Sequence, residues 1–112
     1  MDDRVRSRLI DMRDFAYRAI SLTGGLSADE FESDERTFYA VVKCVEVVGE
    51  AAAQIGRPAL TDLDDAMPWA DVIRMRNILV HEYAGISAAT VFDTVTLSMP
   101  VLLSHIERLL ES

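Results

Sequence analysis

Residues 74–83 read Arg-Met-Arg-Asn-Ile-Leu-Val-His-Glu-Tyr, and one of the chain's two histidines sits there. Histidine titrates near neutrality and can take or give a proton. Arginine stays charged and presents a planar fork that matches two phosphate oxygens. Arg76 and His81 together suit cleavage of RNA by its own 2′-hydroxyl. A base removes that proton, the arginine stabilises charge building on phosphorus, and an acid protonates the leaving 5′-oxygen. This chemistry requires no metal ion. The chain has no other strong cluster of His, Cys or Asp, so neither a metal site nor a cofactor is expected. A histidine near a helix end also commonly serves structure alone, and the spacing leaves both readings open.

The spacing sets a geometric problem. At about 100° per residue, Tyr83 returns to the helical stripe of Arg76, whereas His81 falls about 140° away and aligns with Arg74 and Asn77. An unbroken helix therefore does not bring Arg76 and His81 onto one face. Either the helix unwinds near His81, as Gly85 shortly after it permits, or a second protomer supplies the missing partner. Asn77 can contact phosphate or hold the His81 ring, and Arg74 can support substrate binding.

The elements that must position these groups are helical. Apolar residues from Arg4 to about Leu22 recur at Val5, Leu9, Met12, Ala16 and Ala19, and Gly24-Gly25 ends the run. Ser27-Ala28-Asp29-Glu30 has the form of a capping box and starts one short turn of helix. A second long helix is expected over 33–55, stopping at Gly56 with Pro58 beyond. Residues 57–67 read as a loop. Pro68 suits the first turn of a third helix, which reaches about Tyr83. Ser87 caps a fourth helix to Leu110, with a kink near Leu97 caused by Pro100. The expected fold is all-α, an up-down four-helix bundle with a short extra helical turn and a Pro-kinked last helix.

On the second long helix, Phe38, Val41, Val42, Val45, Val48, Gly49, Ala52 and Ile55 share one broad arc. Cys44 at its edge reads as a small buried hydrophobe. Glu46 and Glu50 stand one turn apart on the other edge, beside Tyr39. Carboxylates bordering a core call for cationic partners. Arg13 or Arg18 would make that pairing structural, while pairing with the arginines of residues 74–83 would make it functional. His105 flanks the Leu102/Leu103/Ile106/Leu109/Leu110 stripe as an ordinary residue, and Trp69 reads as a core or dimer anchor.

With 112 residues and half of them apolar, the chain is about one domain with ample material for a core. The lone Cys44 closes no intrachain disulfide. With no charged-then-apolar leader, this points to a reducing cytoplasm. No apolar run approaches the roughly 18 residues needed to span a bilayer, so no membrane partner is expected. A net charge of −8 argues against a broad, sequence-independent grip on nucleic acid. Arg4, Arg6, Arg8, Arg13 and Arg18 nevertheless crowd the first helix, which leaves room for a local cationic site on an acidic body.

Residues 76–83, Arg-Asn-Ile-Leu-Val-His-Glu-Tyr, resemble the R-x4-H-x-Y signature of the HepT-like toxins, a branch of the HEPN ribonuclease superfamily. Val45-Glu46-Val47-Val48-Gly49-Glu50-Ala51 is similar to that family's E-x-x-G-E helix. Pro68-Trp69, Val91-Phe92-Asp93-Thr94-Val95 and Met99-Pro100 carry the likeness over nearly the whole chain, so residues 1–112 are expected to form one HepT-like domain. The resemblance implies an all-helical homodimer whose two motifs face each other across a cleft and pool their Arg76 and His81 pairs. It implies a metal-independent endoribonuclease toxin of a type II/VII-like toxin–antitoxin system, with Arg76 and His81 catalytic and Arg74, Asn77, Glu46 and Glu50 supporting. It also implies a cognate minimal nucleotidyltransferase antitoxin that transfers AMP to Tyr83. The alternative is a non-catalytic, nucleotide- or substrate-binding subunit of a nucleotidyltransferase pair, in which Arg76 and His81 hold a nucleotide phosphate without cleaving RNA.

Overall fold

The computed structural model describes residues 1–81 and 87–111, with side chains described up to Arg76 and again from Ser87. In chain order the elements are α1 (Asp3–Thr23), α2 (Ala28–Ser33), α3 (Glu35–Ile55), α4 (Arg57–Leu63), α5 (Trp69–His81), α6 (Ala88–Asp93), a π-helical turn (Thr94–Ser98) and α7 (Met99–Glu111). The fold is all-α. Helices α1, α3, α5 and the α6–α7 span form the up-down bundle, and the described residues contain no strand. Helix α3 is central, packing along α1 on one side and α5 on the other, while α7 closes against α1.

Local chemistry sets the ends of these helices. Asp2 caps α1 by accepting from the Val5 N–H at 2.8 Å. Ser27 and Glu30 form the reciprocal capping box of α2 at 3.1 and 2.9 Å. Asp34 caps α3 through the Thr37 N–H. Helix α3 stops at Gly56, whose φ of 92° lies in the left-handed region that only glycine enters cheaply. The same residue opens α4, because Pro58 in the first turn gives up no needed donor. The expected loop over 57–67 is therefore corrected to a seven-residue helix followed by a short connection. Pro58 starts this helix as well as barring the continuation of α3, and fully buried Leu60 anchors it.

The core has one continuous lining: Leu9, Met12 and Ala16 from α1, Val41, Val45 and Val48 from α3, and Val95, Leu102 and Ile106 from the last span, all nearly inaccessible. Each of these side chains larger than alanine contributes on the order of 1.5–3 kcal/mol by leaving water. Phe31 of α2 is fully buried and meets Phe38 and Phe92 at ring-centroid distances of 5.7 and 5.6 Å. This aromatic knot ties the short helix to α3 and α6.

Pro100 acts on the turn before it. Having no N–H, it cannot donate to Thr96, and the backbone widens to a π turn in which the Met99 N–H reaches the Thr94 carbonyl. The disturbance spans Leu97, where the kink was expected. One correction concerns hydropathy. Among the described residues one helical stretch, Ala88–Glu111, is long and apolar enough to cross a membrane by length and composition alone. The sequence expectation looked for an uninterrupted apolar run, whereas here apolar residues are spread around interspersed polar ones. The stripe of Val91, Val95, Met99, Leu102 and Ile106 faces the bundle core.

Candidate active site

Arg76 lies in the last described turn-and-a-half of α5, against the middle of α3. Its Nε stands 2.6 Å from Glu50 Oε2, and the two side chains are 33 and 43% exposed. The guanidinium is thus held by a carboxylate of a neighbouring helix and still borders solvent. Directly beneath it sits Gly49. A Cβ built there would lie 2.3 Å from Arg76 Cβ, 3.1 Å from its Cα and 3.2 Å from its backbone nitrogen. Helices α3 and α5 therefore touch backbone to backbone at the arginine. Of the two pairings open for the α3 carboxylates, the structure gives Glu50 to Arg76. Arg13 instead bonds Asp14 at 3.0 Å, and the Arg18 guanidinium lies 4.4 Å above the Phe15 ring.

The other candidate residues divide. Arg74 points away from this contact and pairs with Asp71 at 2.9 Å on an exposed face. Glu46 stands one turn before Glu50, 3.8 Å from Lys43, and both glutamates line a shallow groove between α1 and α3 with Arg8, Asp11 and Gln54. Helix α5 continues unbroken through His81, so unwinding before that residue is not the way the motif is completed. Backbone positions 76 and 81 remain about 140° apart around the axis. The side chains of Asn77 and His81, and all of Tyr83, lie outside the described residues.

The arginines of α1 serve packing more than a cationic patch. Arg4 donates to the Gln54 carbonyl at 3.0 Å and Arg6 to the Leu110 carbonyl at 3.3 Å, so both tie α1 to helix ends of the bundle. Arg8 faces Asp11 at 3.7 Å. Cys44 is buried, and that burial pushes its thiol above the ordinary value. This is the condition of an inert core cysteine.

A second polar cluster escaped sequence reasoning. His105 Nδ1 lies 2.6 Å from Asp64 Oδ2, with the side chains only 15 and 13% exposed. A carboxylate only accepts, so Nδ1 carries the proton and donates. Arg108 Nη2 lies 3.0 Å from the same nitrogen and, being itself a donor, acts on the cluster through its charge, which favours the Asp64 carboxylate. Asp64 also accepts from the Ala66 N–H at 3.0 Å, and its carbonyl takes the Trp69 indole N–H at 2.7 Å. The His105 bond and, after it, the Ala66 N–H hold the Asp64 carboxyl below its ordinary value against the opposing effect of burial. The cluster clamps α7 to the turn that launches α5. His105 is thus more than a flank residue, and Trp69, 2% exposed, belongs to the core. Asp64 and His105 are 41 positions apart, so no local pattern announces them. Gly49 did carry a signal, since glycine inside a helix costs about 1 kcal/mol relative to alanine and marks a close backbone approach.

Comparison with known proteins gives the family. Residues 11–109 match the model of the family described as "Ribonuclease HepT-like". A Methanocaldococcus jannaschii protein named "Putative RNase MJ0127" is 30% identical over 107 residues, covering 96% of this chain and 88% of its own. Another from that organism, "Putative RNase MJ1216", is 27% identical over the same shares. A Thermococcus cleftensis protein named "Probable ribonuclease HepT" is 32% identical over 72% of this chain and 73% of its own. No solved structure matches significantly. With the matched span running from the middle of α1 almost to the end of α7, and so enclosing Glu50, Arg76 and His81, the chain belongs to the HepT-like ribonuclease family.

Proposed function

We propose that residues 1–112 form one HepT-like domain acting in the cytoplasm as a metal-independent endoribonuclease toxin. The observation that carries this reading is the mounting of Arg76: a guanidinium one-third exposed, braced by Glu50 at 2.6 Å, in a chain of a ribonuclease family. A cation so held is ready to receive a phosphate without first losing side-chain freedom.

In the proposed reaction His81 removes the proton from a ribose 2′-oxygen, which attacks the adjacent phosphorus. Arg76 stabilises the charge growing on the non-bridging oxygens. The phosphorus–5′-oxygen bond breaks and the leaving oxygen takes a proton from an acid, leaving a 2′,3′-cyclic phosphate. His81, protonated by the first transfer, can itself return that proton, so one Arg76 and one His81 complete a site. A homodimer answers the helical geometry, because positions 76 and 81 lie on different faces of an unbroken helix. Arg74 and Asn77 would extend the hold on the RNA backbone, and Glu46 would border the approach beside Glu50.

The cell must silence such an activity. We place the control at Tyr83, to which a cognate nucleotidyltransferase antitoxin transfers AMP. A phosphate on the hydroxyl of Tyr83, on the Arg76 stripe of the sequence, would compete for the guanidinium. The test is cleavage of RNA by the purified chain in EDTA, followed by end analysis. Cyclic phosphate ends support the mechanism. A strict need for a divalent ion, or 5′-phosphate products, would overturn it.

A further inference from the structure

We infer that Gly49 is a positioning residue for Arg76, setting the α3–α5 spacing at which Glu50 can grip the guanidinium. This inference rests on the ribonuclease reading for its effect on turnover, but not for its structural part. Three observations meet at one point. The missing side chain of Gly49 leaves room for Arg76 to approach until a Cβ would be only 2.3 Å from the arginine's own Cβ. The next nearest atoms, at 3.1 and 3.2 Å, are Arg76 backbone, which no rotamer change can move. Glu50, the next residue of α3, holds Arg76 Nε at 2.6 Å.

The consequence is geometric. Carbon atoms settle about 3.5–4.0 Å apart, so an alanine at 49 must push α5 away from α3 by about 1 Å at the arginine. Unlike a terminal side-chain atom, the Cβ of Arg76 cannot swing aside. Its guanidinium is therefore carried off Glu50, and with it the group that is to meet the phosphate. A displacement of this size costs about tenfold to a hundredfold in turnover for a group that must align with a transition state. Glycine at this position is thus tied to the site, and a looser helix crossing would not need it.

The test uses the full chain labelled with nitrogen-15. The Nε–Hε resonance of Arg76, assigned by its loss in Arg76→Lys, reports the carboxylate contact with no RNA present. Gly49→Ala should move this resonance in the same sense as Glu50→Gln, and should lower kcat for RNA cleavage about tenfold to a hundredfold with a smaller change in KM. Thermal unfolding gives an independent reading. Arg76→Gly removes the obstructing Cβ, so Gly49→Ala should lower Tm less in that background than in the parent. If Gly49→Ala alone does not fold, recovery of folding in the double variant supports the inference and failure to recover overturns it. An unmoved resonance in folded Gly49→Ala, or equal Tm losses in both backgrounds, also overturns it. A parent chain that cleaves no RNA while the resonance and Tm behave as expected refutes the ribonuclease reading and leaves the positioning intact.

Discussion

Replacing His105 by alanine tests whether the Asp64–His105 clamp holds the motif helix in place. The bond joins α7 to the turn before α5, and its two side chains are 15 and 13% exposed, so water offers little substitute. A hydrogen bond to a charged group contributes about 1.5–3 kcal/mol, and its loss leaves the Asp64 carboxylate with fewer partners in a largely buried place. About 2 kcal/mol is a reasonable expectation for His105→Ala. For a domain of this size that corresponds to a fall in Tm of about 8 °C, at roughly 4 °C per kcal/mol. Circular dichroism melting at pH 7 reads it directly. The pH dependence supplies a second check. Because His105 and the Ala66 N–H hold the Asp64 carboxyl below its ordinary 3.8, the unfolded chain binds this proton more readily than the folded one. The contribution of Asp64 is complete above that ordinary value and is lost as pH falls through the lowered one. Asp64→Asn should therefore be less stable than the parent near neutrality, with the gap closing in strong acid. A Tm within about 2 °C of the parent for both variants at pH 7 would refute the clamp.

Three further expectations concern the site. Light scattering at micromolar concentration should give twice the 12.5 kDa chain mass, and a monomer that still cleaves RNA would end the shared-cleft account. Arg76→Lys should cleave poorly because one ammonium cannot replace a two-point phosphate contact, and His81→Ala should lose about 10²–10⁴ in rate if it transfers the proton; near-parental rates in both would remove these residues from the mechanism. Co-expression with the nucleotidyltransferase should add AMP mass to the parent and abolish cleavage, while Tyr83→Phe keeps much activity and escapes silencing. Equal modification of the phenylalanine variant would exclude Tyr83 as the acceptor.

Helix periods and caps made most of the fold legible. The α3 arc from Val41 to Ile55, the Ser27–Glu30 box and the Gly56 stop could be read because each depends on residues within a turn or two of one another. Helix α4 was hidden because Pro58 reads equally as an end and as a beginning, and only burial of Leu60 against the rest of the chain decides. The same limit applies to the site. The wheel placed Glu46 and Glu50 at the core edge, but choosing Arg76 over Arg13 and Arg18 required the packing of α3 against α5. The clamp between Asp64 and His105 depends on α7 folding back across the bundle. The α1 arginines read as a cationic crowd until their carbonyl and carboxylate partners on other turns and helices are placed beside them.

The central claim is that Arg76 and His81 act together across a dimer. It is tested most directly by mixing two disabled chains, Arg76→Ala and His81→Ala, under conditions that let protomers exchange, and measuring RNA cleavage in EDTA. Each variant alone should be nearly inactive. In the mixed dimer one site combines the intact Arg76 of one protomer with the intact His81 of the other, so the account predicts that cleavage returns on mixing. Mixed dimers that form, as shown by differently tagged chains purifying together, yet stay as inactive as either variant alone would contradict it.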